Sequence, residues 1–177
     1  MMVAYQRGEL SAFDRLYRHL APSLRGYLGS LVRDPARTPD LVQETFLQLH
    51  RSRRAYRPEF PVRPWAFAIA RHVALMDRRT SSRRPQTGGE LPDLPVPPEA
   101  AGLADRETLQ HAMSTLSDDR REAVLLHHLW GFSFAEIGRL LGVSVAAAKL
   151  RSSRGMADLR SALTNGRSAS GRARGGH

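Results

Sequence analysis

Apolar residues recur every three or four positions over much of the chain, the spacing that one buried side of an α-helix requires. No alternating run is long enough to predict a sheet. The pattern therefore predicts an all-α protein. Its first long helix carries the stripe Phe13, Leu16, Tyr17, Leu20, Leu24, Tyr27, Leu28 and Leu31.

A second helix is predicted from about Thr38 to Arg53, with Thr38 as its N-cap and Pro39 at its first position. The side of this helix that faces away from the apolar stripe is polar and carries Asp40, Gln43 and Glu44. Such a polar side suits either solvent or a partner helix. The apolar stripe itself consists of Leu41, Val42, Thr45, Phe46 and Leu49.

A third helix is predicted to begin near Pro64, after a loop at 52–61 that is rich in arginine and aromatic residues. Arginines hold a nucleic-acid backbone and aromatic rings stack on unpaired bases, so this composition suits single-stranded DNA. Helical spacing places Trp65, Ile69, Val73 and Met76 toward the core, and Arg71, Arg78 and Arg79 toward solvent.

Prolines and glycines divide the helical pattern into two parts. Each proline removes a backbone donor and biases its predecessor toward extended geometry, so 85–102 is predicted to be a linker. It joins a domain at 5–84 to a domain at 103–163. The end of the chain, 164–177, contains mainly Gly, Ser, Ala and Arg and is predicted to be a mobile basic tail.

The charge of the chain indicates which class of partner it binds. Lys and Arg number 27 against 17 Asp and Glu, a net charge of +10, which indicates a polyanionic partner such as DNA. Cysteine is absent, which excludes disulfides, zinc fingers and thiol catalysis. No apolar run approaches the roughly 18 residues of a spanning helix, and no signal-like segment follows Met1. We therefore expect a cytoplasmic protein without stable membrane insertion, and no cofactor.

The strongest motif lies in the second domain. Ser133 and Glu136 have the spacing of a capping box, which starts a helix, and Gly142 can close that helix in the left-handed conformation. Ser144 then caps a second helix, while Gly138 is small enough for the two helices to approach closely. The segment is predicted to be a helix-turn-helix.

The second helix of this motif would enter the major groove of DNA. Lys149, Arg151 and Arg154 would reach phosphates or guanine edges, and Ser153 could contact a base or the backbone. The alternative is a capped helical hairpin that serves only for packing. Ser117 is predicted to cap a supporting helix that carries Ala123, Val124, Leu126 and Leu129.

Three segments resemble, in order, the conserved regions of one protein family. Residues 40–46 are similar to the sigma-factor segment of region 2 that binds the polymerase clamp, and 65–71 resembles the following helix of that region. Residues 116–159 resemble region 4. The chain thus resembles a bacterial RNA polymerase sigma factor of the sigma-70 family, in the extracytoplasmic-function (ECF) subfamily.

The resemblance implies two small helical domains that bind core RNA polymerase and promoter DNA. It also implies that an anti-sigma factor controls the protein, and that the protein is not an enzyme. Core polymerase would contact Asp40, Gln43 and Glu44, with Phe46 or Leu47 as apolar anchors. The minus-10 element would be recognised and opened by Arg53, Arg54, Tyr56, Arg57, Trp65, Arg71, Arg78 and Arg79. The minus-35 element would be read by Ser144, Lys149, Arg151, Ser153 and Arg154.

Two other functions are compatible with parts of the sequence. A transcription regulator would combine the helix-turn-helix with a helical sensing domain, but it would not need the polar helix followed by the arginine-aromatic loop. A nuclease or metal hydrolase would need a catalytic centre. The adjacent His127 and His128 would point about 100° apart on a helix and could not grip one metal as an i, i+4 pair does.

Overall fold

The computed structural model describes the backbone of residues 1–32, 34–81, 95–100 and 104–173, and their side chains except those of 81, 99 and 165–173. Its regular elements in these ranges are helical, as the sequence predicts. The chain divides into two compact units, Met1–Pro92 and Asp93–His177. This division falls inside the predicted linker, most of which lies outside the described residues.

The first unit contains four α-helices: α1 (Met2–Gln6), α2 (Leu10–Leu31), α3 (Thr38–Ser52) and α4 (Val62–Ser81). A 3-10 turn at Pro35–Arg37 precedes α3, and another at Arg53–Ala55 follows it. The long helices α2, α3 and α4 pack against one another. At their centre the rings of Tyr27 and Phe67 stack with centroids 4.8 Å apart, and both side chains are fully buried.

Two local predictions for this unit are wrong. Thr38 has helical backbone angles and does not cap α3. Instead Asp34 accepts a hydrogen bond from the Ala36 amide at 3.0 Å, so the cap lies one 3-10 turn earlier.

The predicted inward side of α4 is also partly wrong, because Met76 is 45% exposed and Trp65 and Ile69 are only half-buried. Small residues let α4 approach its neighbours closely, so the core side is formed by Ala66, Phe67, Ala70, Val73 and Ala74.

The second unit contains α5 (Arg106–Thr115), α6 (Asp118–Val124), α7 (Phe134–Leu141) and α8 (Val145–Ala173). A π-helical turn at Leu125–Leu129 extends α6. Ser117 occupies the N-cap position of α6 as predicted, although its side chain makes no capping hydrogen bond. The core of the unit lies between these helices and includes Leu109, Met113, Leu125, Leu126, Ile137 and Leu159.

The last helix extends into the segment for which composition predicts a mobile basic tail. The backbone of α8 is helical as far as Ala173. Only residues 174–177 of the predicted tail lie wholly outside the described residues.

Candidate nucleic-acid interface

The helix-turn-helix forms through the predicted caps. The Ser133 amide donates to Glu136 Oε2 at 2.8 Å, and the Glu136 amide donates to Ser133 Oγ at 3.3 Å, which completes the capping box. Gly142 ends α7 with a φ of 70°, in the left-handed region. Ser144 Oγ then accepts the Ala147 amide at 3.1 Å and starts α8. The predicted motif is therefore confirmed in each of its caps.

Two glycines allow close helix contacts in this unit. A Cβ on Gly138 would lie 2.8 Å from the carbonyl oxygen of Val143, which confirms the predicted close approach at the turn. A Cβ on Gly155 would lie 2.6 Å from Val124 Cγ2, so α6 crosses α8 against this second glycine. Gly155 was not predicted as a close contact, because nothing in the local sequence pattern shows which helix packs against it.

One side of α8 is buried and the other is available to a ligand. Ala148, Ser152, Met156 and Leu159 face the core. Leu150 lies about 200° around the helix from Ala148, and its side chain is 47% exposed. The exposed Lys149 and Arg154 flank Leu150 on either side of this outer surface. Leu150 was not predicted as a contact residue; its angular distance from the buried stripe is the signal that identifies it.

The remaining predicted minus-35 residues have partners within the unit. Arg151 is half-buried and forms an ion pair with Asp119 on α6, with Nη2 and Oδ2 3.0 Å apart. Ser153 Oγ donates to the Leu150 carbonyl at 3.2 Å, and Ser144 Oγ accepts the capping bond. The structure therefore brings Lys149, Ser153 and Arg154 to the outer surface and directs Arg151 toward α6.

The polar residues of α3 form one exposed stripe. Asp40, Gln43 and Leu47 are exposed and Glu44 is half-buried, at the spacing i, i+3, i+4 and i+7 that puts residues on one side of a helix. Asp40 is 70% exposed and lies 3.5 Å from a guanidinium nitrogen of Arg37. The stripe is apolar only at Leu47, which is 41% exposed.

Phe46, one of the two predicted apolar anchors, is buried. Its side chain is only 5% exposed and packs edge-on against Phe13, at a centroid distance of 6.1 Å, and against Tyr17 at 4.6 Å. The ring is thus part of the core of the first unit and not part of the α3 surface. Of the two predicted apolar anchors, Leu47 alone is available to a partner.

The arginine-aromatic loop contains a partly exposed aromatic pair. The Tyr56 ring packs on Trp65 at a centroid distance of 5.0 Å, and both residues are half-buried. The Tyr56 hydroxyl donates to the Phe60 carbonyl at 2.7 Å. Burial raises the pKa of the Tyr56 phenol above its ordinary value, and the nearby Glu59 carboxylate raises it further. Phe60, 50% exposed, is a further aromatic surface that the predicted set omitted.

The predicted minus-10 arginines do not form one cluster. Arg54 and Arg57 are exposed in the loop, and Arg53 donates from Nη1 to the His50 carbonyl at 2.7 Å. Arg78 and Arg79 lie near the end of α4, about 20 Å along the helix axis from Trp65. Arg71 and Arg78 share one flank of α4 and are half-buried, whereas Arg79 is exposed. The set therefore extends along α4.

The histidine pair is explained by packing. His127 Nδ1 lies 2.9 Å from the Phe132 carbonyl oxygen, and its ring stacks on Phe134 at 4.1 Å. Within the part of the chain that the structure describes, no group of His, Cys, Asp and Glu side chains could hold a metal ion. The described helices also include none with the length and hydropathy needed to cross a bilayer.

Comparison with known proteins identifies the family. The profile of Sigma-70 region 2 matches residues 16–84, and that of Sigma-70, region 4 matches residues 106–159. The chain is 37% identical over 166 residues to the RNA polymerase sigma factor CarQ of Myxococcus xanthus, an alignment that covers 92% of this chain and 95% of CarQ. The chain is also 30% identical over 144 residues to the ECF RNA polymerase sigma factor EcfG of Rhodopseudomonas palustris, with 80% of each chain covered. The chain belongs to the ECF sigma factors.

Solved structures agree with this assignment. The sigma factor RpoE of Bartonella quintana, determined in complex with the anti-sigma factor NepR, matches with a TM-score of 0.70 and 25% identity, covering 88% of this chain and 98% of that one. CnrH, determined with the cytosolic domain of CnrY, has the same fold, with a TM-score of 0.70.

The family fixes the general activity. The protein is a non-enzymatic transcription initiation factor that binds RNA polymerase and promoter DNA and directs initiation to particular promoters. The regulator and hydrolase alternatives are therefore wrong.

Proposed function

We propose that three exposed surfaces of this sigma factor divide the work of initiation: the stripe of α3 holds core polymerase, the loop after α3 with α4 captures the minus-10 element, and the outer side of α8 reads the minus-35 element. The observation that carries this proposal is the exposure of the α3 stripe and of the outer side of α8, each facing away from the core of its own unit. Residues 5–84 and 103–163 would then be the two working domains, with 85–102 as the linker.

The polymerase contact is supported by the chemistry of the α3 stripe. Asp40, Gln43 and Glu44 offer polar groups beside the apolar Leu47, a combination that suits a helix-on-helix interface. We expect Asp40→Arg to weaken binding to core polymerase at least about tenfold, because it replaces a negative charge in the contact by a positive one.

Asp14→Arg is the matched control for this change, since it makes the same charge reversal at an exposed aspartate of α2. Fluorescence titration of labelled sigma factor with core polymerase gives both affinities. The α3 assignment is refuted if the two variants bind core polymerase equally well.

The minus-10 contact is supported by the loop. Arg54 and Arg57 can hold the backbone of a separated strand, while Tyr56, Phe60 and Trp65 offer ring faces to unpaired bases. Arg71, Arg78 and Arg79 would continue the basic track along α4. We expect Arg54→Ala to lower open-complex formation by holoenzyme and to reduce the salt dependence of single-strand binding by about 0.7 in log–log slope.

Arg25→Ala, at an exposed arginine of α2, is the control for loss of one positive charge. Permanganate reactivity of unpaired thymines measures opening. Equal opening by the two variants would remove the loop from the proposed minus-10 surface.

The minus-35 contact is supported by the outer side of α8. Lys149 and Arg154 can reach phosphates on either side of the groove, and Leu150 and Ser153 face the base edges between them. Ser144 remains a candidate at the start of α8. We expect Arg154→Ala to reduce transcription from promoters with an intact minus-35 element about tenfold.

Arg160→Ala, at an exposed arginine about 9 Å further along α8, should have little effect. Transcription by holoenzyme on templates with and without the minus-35 element makes the comparison. A defect that is equal on both templates would contradict the assignment.

We also propose that the protein acts in the cytoplasm, where polymerase and promoters are, and that an anti-sigma factor controls it. The support is its likeness to the Bartonella quintana sigma factor that was solved with an anti-sigma factor. A purified anti-sigma candidate should inhibit transcription by holoenzyme, and added sigma factor should restore it. Inhibition that excess sigma factor does not relieve would point to a different target.

A further inference from the structure

The first helix of the chain contacts the loop that follows α3, some fifty residues later. Met2 and Tyr5 anchor α1 in the core of the first unit, with 3% and 6% of their surface exposed. The Tyr5 ring packs on Phe13 of α2 at a centroid distance of 5.2 Å, and its hydroxyl bonds to His50 Nδ1 of α3. The helix is thereby fixed against both neighbours, although the region 2 profile begins only at residue 16.

Gln6, at the end of α1, uses both hydrogens of its side-chain amide on this loop. Its Nε2 donates to the Arg53 carbonyl at 2.7 Å and to the Tyr56 carbonyl at 2.8 Å. The Arg53 carbonyl also accepts the Tyr56 amide at 3.3 Å, which closes the 3-10 turn that ends α3. Carbonyls beyond the last turn of a helix have no partner within it, and Gln6 supplies one to Tyr56, while the Arg53 carbonyl accepts Gln6 in addition to the Tyr56 amide.

The two carbonyls that Gln6 holds belong to residues of the proposed minus-10 surface. The Tyr56 ring packs on Trp65, and its hydroxyl donates a hydrogen bond to the carbonyl of Phe60, four residues later. Because these hydrogen bonds already fix the loop, it loses little conformational entropy when it binds an unpaired strand. Such preorganisation strengthens binding without adding a contact to the DNA.

We propose that Gln6 is a positioning residue for promoter opening: it holds the arginine-aromatic loop in the shape that accepts the separated minus-10 strand. The proposal rests on the proposed function of that loop. Both hydrogen bonds of the Gln6 amide go to the loop backbone, so its effect would pass through the placement of Arg54, Tyr56 and Trp65.

The test uses three variants in reconstituted holoenzyme. Gln6→Ala removes both donors, and Gln6→Glu keeps the size of the side chain but turns the donor nitrogen into an acceptor that faces two carbonyls. Tyr5→Phe is the matched control, because it removes one hydrogen bond of the same helix to α3 and leaves the loop contacts in place. Thermal unfolding and titration with core polymerase verify that each variant folds and forms holoenzyme.

Opening of a duplex promoter is measured by permanganate reactivity. Capture of the separated strand is measured by the affinity of holoenzyme for the same promoter with an artificially unpaired minus-10 segment. We expect Gln6→Ala and Gln6→Glu to slow opening of the duplex about tenfold, since two neutral hydrogen bonds are lost, and to weaken binding to the unpaired template as well, because the loop contacts the separated strand in both. Tyr5→Phe should open the duplex and bind the unpaired template like the original protein, and core binding should not change.

Arg54→Ala separates the two ideas. If Arg54→Ala slows opening and the Gln6 variants do not, the loop acts on DNA but Gln6 does not position it, and this proposal is overturned. If Arg54→Ala itself has no effect, the function proposed for the loop fails. If Gln6→Glu opens the duplex normally while Gln6→Ala does not, only side-chain volume matters, and the donor role is refuted.

Discussion

Gly138→Ala tests the geometry of the helix-turn-helix. The added methyl would lie 2.8 Å from the Val143 carbonyl oxygen, whereas an ordinary contact begins near 3.4 Å, so the turn must move by about 0.6 Å (3.4 minus 2.8). The turn resists this movement, because the Val143 amide donates to the Gly138 carbonyl at 2.9 Å. Overpacking of this kind costs about 1–3 kcal/mol, and the better helix propensity of alanine offsets about 1 kcal/mol. Because the atom in the way is backbone and not the end of a flexible side chain, the cost lies in the upper half of that range, about 2–3 kcal/mol, and we expect the free energy of unfolding of the second unit to fall by a net of about 1–2 kcal/mol.

The two tryptophans lie in different units and allow each unit to be followed separately. Trp130, 8% exposed, reports on the second unit in a Trp65→Phe background during urea unfolding. Gly29→Ala is the matched control, followed by Trp65 in a Trp130→Phe background. The nearest atom to its new methyl is Thr38 Oγ1 at 3.8 Å, so this change should stabilise the first unit by up to about 1 kcal/mol. The reasoning is refuted if Gly138→Ala is as stable as the original protein or more so.

Three further outcomes can be measured on the free protein. Gly142→Ala should lower the free energy of unfolding of the second unit by about 1 kcal/mol in urea titrations, because a φ of 70° disfavours a Cβ, and Gly142→Asn should lose less; equal losses would contradict this. Phe67→Ala should destabilise the first unit by about 3–5 kcal/mol in the same assay, since it empties a fully buried site against Tyr27. The Thr108 amide lowers the pKa of Asp105 from its ordinary value of 3.8, because the ionised carboxylate accepts that amide, so the stabilising capping bond should be complete above pH 3.8 and lost as the pH falls through the lowered pKa; the amide NMR signal of Thr108 should follow this titration, and Asp105→Asn should abolish it.

The helix-turn-helix of the second unit was predicted from sequence because its signals are local. Ser133, Glu136, Gly142 and Ser144 act on amides or backbone angles within three or four residues of themselves, so their roles can be read without knowing the tertiary structure. Arg151 was different, because the carboxylate that pairs with it lies on another helix, 32 positions earlier in the chain.

The first unit shows where helical periodicity becomes ambiguous. In α4, the spacing of Trp65, Ile69 and Met76 suits a buried stripe as well as that of Ala66, Phe67 and Ala70 does. Large apolar residues dominate such a pattern, but close packing of α4 against α2 and α3 favours the side with the alanines. The contact of Gln6 with two backbone carbonyls has no sequence pattern at all, since carbonyls are present at every residue.

The position of α8, the proposed recognition helix, has consequences for how such a protein diversifies. The buried side of α8 contributes Ala148, Ser152 and Leu159 to the core, and its outer side carries Lys149, Leu150 and Arg154. If α8 tilted or shifted to meet a new DNA sequence, the packing of that core would be disrupted. New promoter preferences can therefore arise most readily by exchanging outer side chains on a stationary helix, which lets duplicated copies of the gene acquire separate sets of target genes while the scaffold stays the same.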